Sequence, residues 1–137
     1  MTYDADFFDS LYVEGDGDPW AYFESEYERR KADRPVGSLR DRRDPHEVDS
    51  ILDLGCGNGA KTARIADAYP DAEIVGVDMS AEALSVARER TDGVTYERAD
   101  VVDYVADVDR TFDAVVAVGA LHYLCAQYPV TDLLEFA

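Results

Sequence analysis

Apolar positions from residue 50 onward recur in two alternating rhythms. Ile51, Leu52 and Leu54 make a short run with no turn residue inside it, the pattern of a strand buried on both faces of a parallel sheet. Similar runs fall at 73–77 (E-I-V-G-V), 94–98 and 112–118 (F-D-A-V-V-A-V). Between them the spacing is helical at 60–69 and 81–90 and weakly so at 101–108, while 121–137 gives helical turns interrupted at Pro129. Strands alternating with helices imply right-handed crossovers and a parallel sheet, an α/β fold.

The first 49 residues follow a different pattern. Phe7, Phe8, Leu11 and Tyr12 stand at helical spacing and predict a short amphipathic helix. Residues 14–19, E-G-D-G-D-P, read as a loop whose acids face solvent, since the alternation lacks the distal Glu of a calcium loop. Residues 20–34 are rich in helix formers and are predicted to stop at Pro35, with 36–49 as a charged linker into the first strand. The division expected is therefore 1–49 as a helical segment with its linker and 50–137 as the core.

Chemistry concentrates where the first strand ends. The stretch from Ser50 to Ala60 reads S-I-L-D-L-G-C-G-N-G-A, so strand, glycine turn and helix follow one another as in a nucleotide-binding corner. Asp78 ends the second strand about 20 residues beyond Gly59, where a carboxylate can reach ribose hydroxyls. Its bland alternative is capping the next helix, a task Ser80 could perform instead. Gly55, Gly57 and Ala60 also fit the loose dinucleotide fingerprint, which leaves a nicotinamide-binding oxidoreductase fragment as an alternative.

Asp53 two residues before Gly55, a third glycine at Gly59, and Asp100 just after the third strand favour another choice. Together they resemble the Rossmann-like class of S-adenosylmethionine-dependent methyltransferases. The resemblance implies a three-layer parallel sheet, here of about four strands in the order 3-2-1-4, with N-terminal helices. It assigns the methionine part and ribose to Asp53, Gly55, Cys56 and Gly57, ribose also to Asp78, and adenine to Met79, Asp100 and the Val101 backbone. Ala117, at the end of strand four, would pass near the sulfonium. D-P-W-A-Y-F-E-S-E-Y-E-R-R-K and A-L-H-Y-L look like the nodulation N-methyltransferase group, in which the N-terminal helix lids the cofactor. That likeness adds Trp20, Tyr27 and Lys31 as cofactor-side residues, and His122, with Tyr123 second, as the group that takes a proton from an amine acceptor. Ordinary packing is the competing reading for the two aromatics, and a solvated helix face for Lys31.

Charge narrows the partners. The chain has 30 acidic against 13 basic residues, a net charge of −17 dispersed along its 137 residues, as expected of a protein from a high-salt cytoplasm. Such a surface repels nucleic-acid backbone, so a small-molecule methyl acceptor is expected rather than a polyanion. The two cysteines, Cys56 and Cys125, suit neither a metal site nor a disulfide framework, and no apolar run reaches about 18 residues. These features predict a cytoplasmic protein away from membranes. The family pattern continues for three further strands, so the fourth would be an open apolar edge, suited to a second copy or a complementing chain. A non-catalytic subunit that binds cofactor or a partner therefore stands as an alternative to an enzyme.

Overall fold

The computed structural model describes residues 3–21 and 23–118. Its centre is β1 (Ser50–Leu54), which pairs in parallel with β2 (Glu73–Asp78) on one side and β4 (Ala114–Ala117) on the other. β3 (Val94–Arg98) adds in parallel outside β2, giving a parallel sheet as the alternating pattern predicts, in the order β3-β2-β1-β4 that the family resemblance implies. Three helices make the crossovers: α3 (Ala60–Ala68), α4 (Ala81–Arg90) and α5 (Val101–Asp107). Before the sheet come α1 (Ala5–Glu14), α2 (Glu26–Arg42) and a single 3-10 turn at Pro45–Glu47.

β1 and β2 are covered on both faces, which is why these two central strands are nearly continuously buried instead of alternating. On one face Ile51, Ile74 and Val116 pack with Ile65 and Tyr69 of the α3 segment and Val36 of α2. On the other, Leu52, Leu54, Val75 and Val77 meet Val101, Tyr104 and Val105 of α5, with Phe112 beside them. A third cluster joins Cys56, Leu84, Ala87 and Tyr96, and the Tyr96 ring lies within 2.8 Å of where a Cβ on Gly76 would stand. Only glycine lets that ring lie flat across β2.

Two expected boundaries are corrected. The helix predicted over 20–34 starts later, because Ser25 is its cap, accepting the Glu28 N–H, while Ala21 takes a positive φ of 54° and residues 23 and 24 lie in a turn. It also runs through Pro35 to Arg42, so 36–42 is helix and not linker. Proline removes one backbone donor there, but Val36 is buried and Leu39 packs on the Ile51 cluster, and this burial holds the helix across the defect. β4 is shorter than the 112–118 expected. Asp113 turns its carboxylate to the N–H groups of Asp49 and Ser50 at 2.8 and 3.1 Å, which ties the entry of β4 to that of β1.

Candidate functional site

The chain passes from β1 to α3 through residues 55–59, and backbone contacts pin that passage to the neighbouring strand. The N–H groups of Gly55 and Cys56 donate to the Val77 carbonyl at 2.8 and 3.0 Å. Beside them Asp78 accepts from the Gly57 N–H through Oδ2 and from the Ser80 N–H through Oδ1, both at 2.9 Å. Its carboxylate thus lies against the glycine turn, while Ser80 caps α4 by accepting the Ala83 N–H at 3.1 Å. Burial pushes the Asp78 carboxyl above the ordinary 3.8 of an aspartate, and the two backbone donors and the Lys61 charge pull it part of the way back.

Asp53 is wholly buried behind the turn. Its Oδ2 accepts the Thr62 hydroxyl at 2.7 Å, and the Lys61 ammonium stands 3.0 Å from Oδ1. Cys56 turns its side chain into the cluster with Leu84 and Ala87, where its thiol lies 3.9 Å from the Gly57 carbonyl. Burial, and then the nearby Asp53 and Asp78 charges, hold its thiol protonated well above the usual range, which makes it no nucleophile.

From the opposite side the N-terminal segment comes down onto the turn. Gly57 has a left-handed φ of 58°, and a Cβ there would stand 2.6 Å from the hydroxyl of buried Tyr12. Trp20 packs edge-on to Tyr12 at 5.7 Å and 70°. Asn58 donates through Nδ2 to the Gly17 carbonyl at 2.9 Å and to Asp18 Oδ1 at 3.1 Å. The loop at 14–19, expected to face solvent, is therefore docked on the glycine turn, because an amide buried in the turn needs acceptors. Asp9 completes the docking, accepting from the Ser80 hydroxyl at 2.6 Å and the Glu82 N–H at 3.2 Å.

The next strand tips carry the remaining residues. Asp100 caps α5, its Oδ1 accepting from Val102 and Asp103 at 2.8 and 3.2 Å, and both bonds use that one oxygen. Val101 is half-buried and packs against the Leu52 cluster. Met79 is half-buried, and its carbonyl accepts from Arg98 Nε at 3.1 Å. Ala117 lies exposed across from Leu54, on the β4 side of β1. Lys31 is not drawn to the turn by its bonded contacts, which stay in its own helix: it pairs with Glu28 at 3.3 Å and lies 5.4 Å from the ring of Tyr27, itself 66% exposed. His122 and Tyr123 lie outside the described residues. Among the described residues no group of three or more His, Cys, Asp or Glu side chains could hold a metal ion, and no helix is long and apolar enough to cross a membrane.

Sequence reasoning passed over Asp9, Tyr12, Asn58, Lys61 and Thr62 as parts of this corner. Asn58 carried a signal in standing between two turn glycines, whereas Asp9 meets Ser80 from 71 residues away and only folding brings them together.

Residues 51–135, more than half of the chain, match the family described as a methyltransferase domain. The chain belongs to that family. Membership sets aside the dinucleotide reading of Gly55, Gly57 and Ala60. Similar proteins include the trans-aconitate 2-methyltransferase of Pseudomonas paraeruginosa, 36% identical over 78% of this chain and 37% of the relative. This chain thus matches little more than a third of that relative's length. Among solved structures, a SAM-bound amino pentose methyltransferase from Micromonospora echinaspora is 25% identical with a TM-score of 0.63, over 78% of this chain and 42% of that one. The magnesium protoporphyrin IX methyltransferase of Synechocystis, with SAM bound, superposes with a TM-score of 0.67 over 97% of this chain and 69% of that one. At 18% identity it speaks to the fold alone.

Proposed function

We propose that this chain is the cofactor-binding portion of an S-adenosylmethionine-dependent methyltransferase acting on a small molecule. The observation that supports it most is the Asp78 carboxylate laid against the left-handed Gly57 turn at the tips of β1 and β2, with Asp100 at the next tip, inside a matched methyltransferase family. These residues fit an adenosine ligand. Asp78 can exchange its backbone donors for ribose hydroxyls, and Oδ2 of Asp100 is left for an adenine amino group by a cap that uses Oδ1. Gly55, Gly57 and the Cys56 backbone bound the ligand from the β1 side, the Met79 side chain and Val101 backbone from the adenine side, and Trp20 closes the N-terminal side through Tyr12.

Bound there, the cofactor would supply a methyl group already activated on a sulfonium. The protein then has to hold the acceptor in line and exclude water, tasks that fall to the N-terminal segment docked on the turn and to the β4 tip at Ala117. An amine is the acceptor favoured by the likeness to the amino pentose enzyme, with His122 placed in sequence to receive its proton, and the trans-aconitate relatives make a carboxylate the second choice. Lys31 joins the site in this reading only by a shift of α2.

Titration calorimetry with S-adenosylhomocysteine and with NAD tests the cofactor. Binding of the first alone is expected, and binding of NAD alone would end the proposal. Transfer of labelled methyl to a mixed pool of amines, phenols and carboxylates then tests activity. Tight cofactor binding without labelled product would favour a second reading, a non-catalytic subunit completed through β4, which is supported by Val115 and Val118 being 58% and 44% exposed. Equilibrium sedimentation distinguishes a homodimer from a monomer awaiting another chain.

A further inference from the structure

Both residues that hold the Asp78 carboxylate are themselves backed by one face of α1. Oδ2 of Asp78 takes the Gly57 N–H and Oδ1 takes the Ser80 N–H. Asp9 and Tyr12 stand three residues apart in α1, so their side chains leave the helix on the same side. Tyr12 brings its hydroxyl to 2.6 Å from where a Cβ on Gly57 would stand, and Asp9 Oδ1 accepts the Ser80 hydroxyl at 2.6 Å. One helix face thus reaches the donor residues at both ends of the carboxylate.

Ser80 is the point at which this backing bears on ligand chemistry. It is wholly buried, and its hydroxyl has one proton to give. The oxygen accepts the Ala83 N–H as the cap of α4, and the proton goes to Asp9, which also accepts the Glu82 N–H at 3.2 Å. With Asp9 in place the side chain is satisfied as donor and as acceptor. Without it a buried hydroxyl proton has lost its partner, and that cost drives the side chain to turn toward another acceptor. The Asp78 carboxylate, already bonded to the N–H of the same residue, is such an acceptor, and a serine hydroxyl on it competes with the hydroxyls of a ribose. We propose that Asp9 is a positioning residue for the ligand: by holding the Ser80 hydroxyl proton it keeps the Asp78 carboxylate open to ribose, a role that rests on the cofactor assignment above.

Titration calorimetry with S-adenosylhomocysteine compares the unaltered chain with Asp9→Ala, Asp78→Ala and the double variant. Asp9→Ala is expected to weaken binding by roughly three- to tenfold while Asp78 is present, the worth of one hydrogen bond, and to add no further loss once Asp78 is alanine. The same loss in both backgrounds would show that Asp9 only seats α1 on α4, and no loss in either would remove it from the site; each overturns the proposal. Asp9→Asn keeps an oxygen acceptor in place and is expected to retain most of the affinity, whereas a loss as large as that of Asp9→Ala would overturn the proposal as well. Should Asp9→Ala fold poorly, Asp9→Leu, which fills the space and favours the helix, goes through the same cycle. If the unaltered chain does not bind S-adenosylhomocysteine, or binds it no better than Asp78→Ala does, the cofactor assignment itself has failed and the role of Asp9 falls with it.

Discussion

Gly57 shows how narrowly single residues are constrained at this corner. Its φ of 58° disfavours any side chain, and a Cβ would meet the Tyr12 hydroxyl at 2.6 Å, with the next ring atom at 3.8 Å. Gly57→Ala should therefore destabilise the fold by more than about 1 kcal/mol in urea unfolding, and adding Tyr12→Phe should recover part of that loss. Absence of any recovery would mean that backbone strain is the whole cost. Asp78 carries the ligand side of the argument. Asp78→Ala is expected to weaken S-adenosylhomocysteine by about 1–3 kcal/mol, the range for losing a charged partner to buried donors. Its raised pKa also sets a sign. The folded chain holds the Asp78 proton more firmly than the unfolded chain does, so this group's own contribution to stability grows as pH falls from above the raised value toward the ordinary 3.8. Ligand binding runs the opposite way, since the ionised carboxylate accepts hydroxyl protons at both oxygens and more strongly than the protonated acid does. Affinity should fall on acidification with a midpoint above 3.8, and a titration unchanged in Asp78→Ala would remove Asp78 from the site.

Among the elements, α2 teaches the most about reading boundaries. A proline following a run of charged helix formers is a sound local stop signal, yet the helix continues, because Val36 and Leu39 fall on the face that packs against β1. Pro35→Ala would restore the missing donor to the Lys31 carbonyl. It should stabilise the protein by about 1–2 kcal/mol in chemical denaturation, less than the full interior penalty because proline also stiffens the unfolded chain. No gain would imply that α2 has already relaxed around the ring. β1, α3, β2, α4, β3 and α5 were legible to within a residue or so, since buried parallel strands and amphipathic helices have unambiguous periods. α1 was legible as an amphipathic turn of chain, but its seat on α4 was not. That seat depends on Asp9 meeting Ser80 and the Glu82 N–H, and no local spacing encodes such a contact.

For the molecule as a whole, net charge is the largest single term visible in composition. At −17 over 137 residues the folded chain repels itself, and salt screens that repulsion over a Debye length of about 10 Å at 0.1 M and less at higher concentration. The melting temperature should therefore rise steadily from about 0.1 M to about 2 M KCl, as followed by circular dichroism. A flat response would show that the acids are already balanced by local pairing. The few ion pairs between exposed groups, such as Arg30 with Glu26, are worth too little to provide that balance.

Sequence by itself determined the order of strands and helices, the position of the glycine corner and the two carboxylates at successive strand tips, because each is written in local period or in short spacing. Tertiary structure alone decided what closes over that corner. Tyr12, Asp18 and Asp9 reach it from tens of residues away, and Asn58 and Ser80 receive them only once α1 has packed on α4. The same holds for Asp53, a surface-type residue by composition that the fold buries completely and joins to Lys61 and Thr62. Burial is a property of the assembled layers, and it converts an acid at a strand end into an anchor for the first turn of a helix.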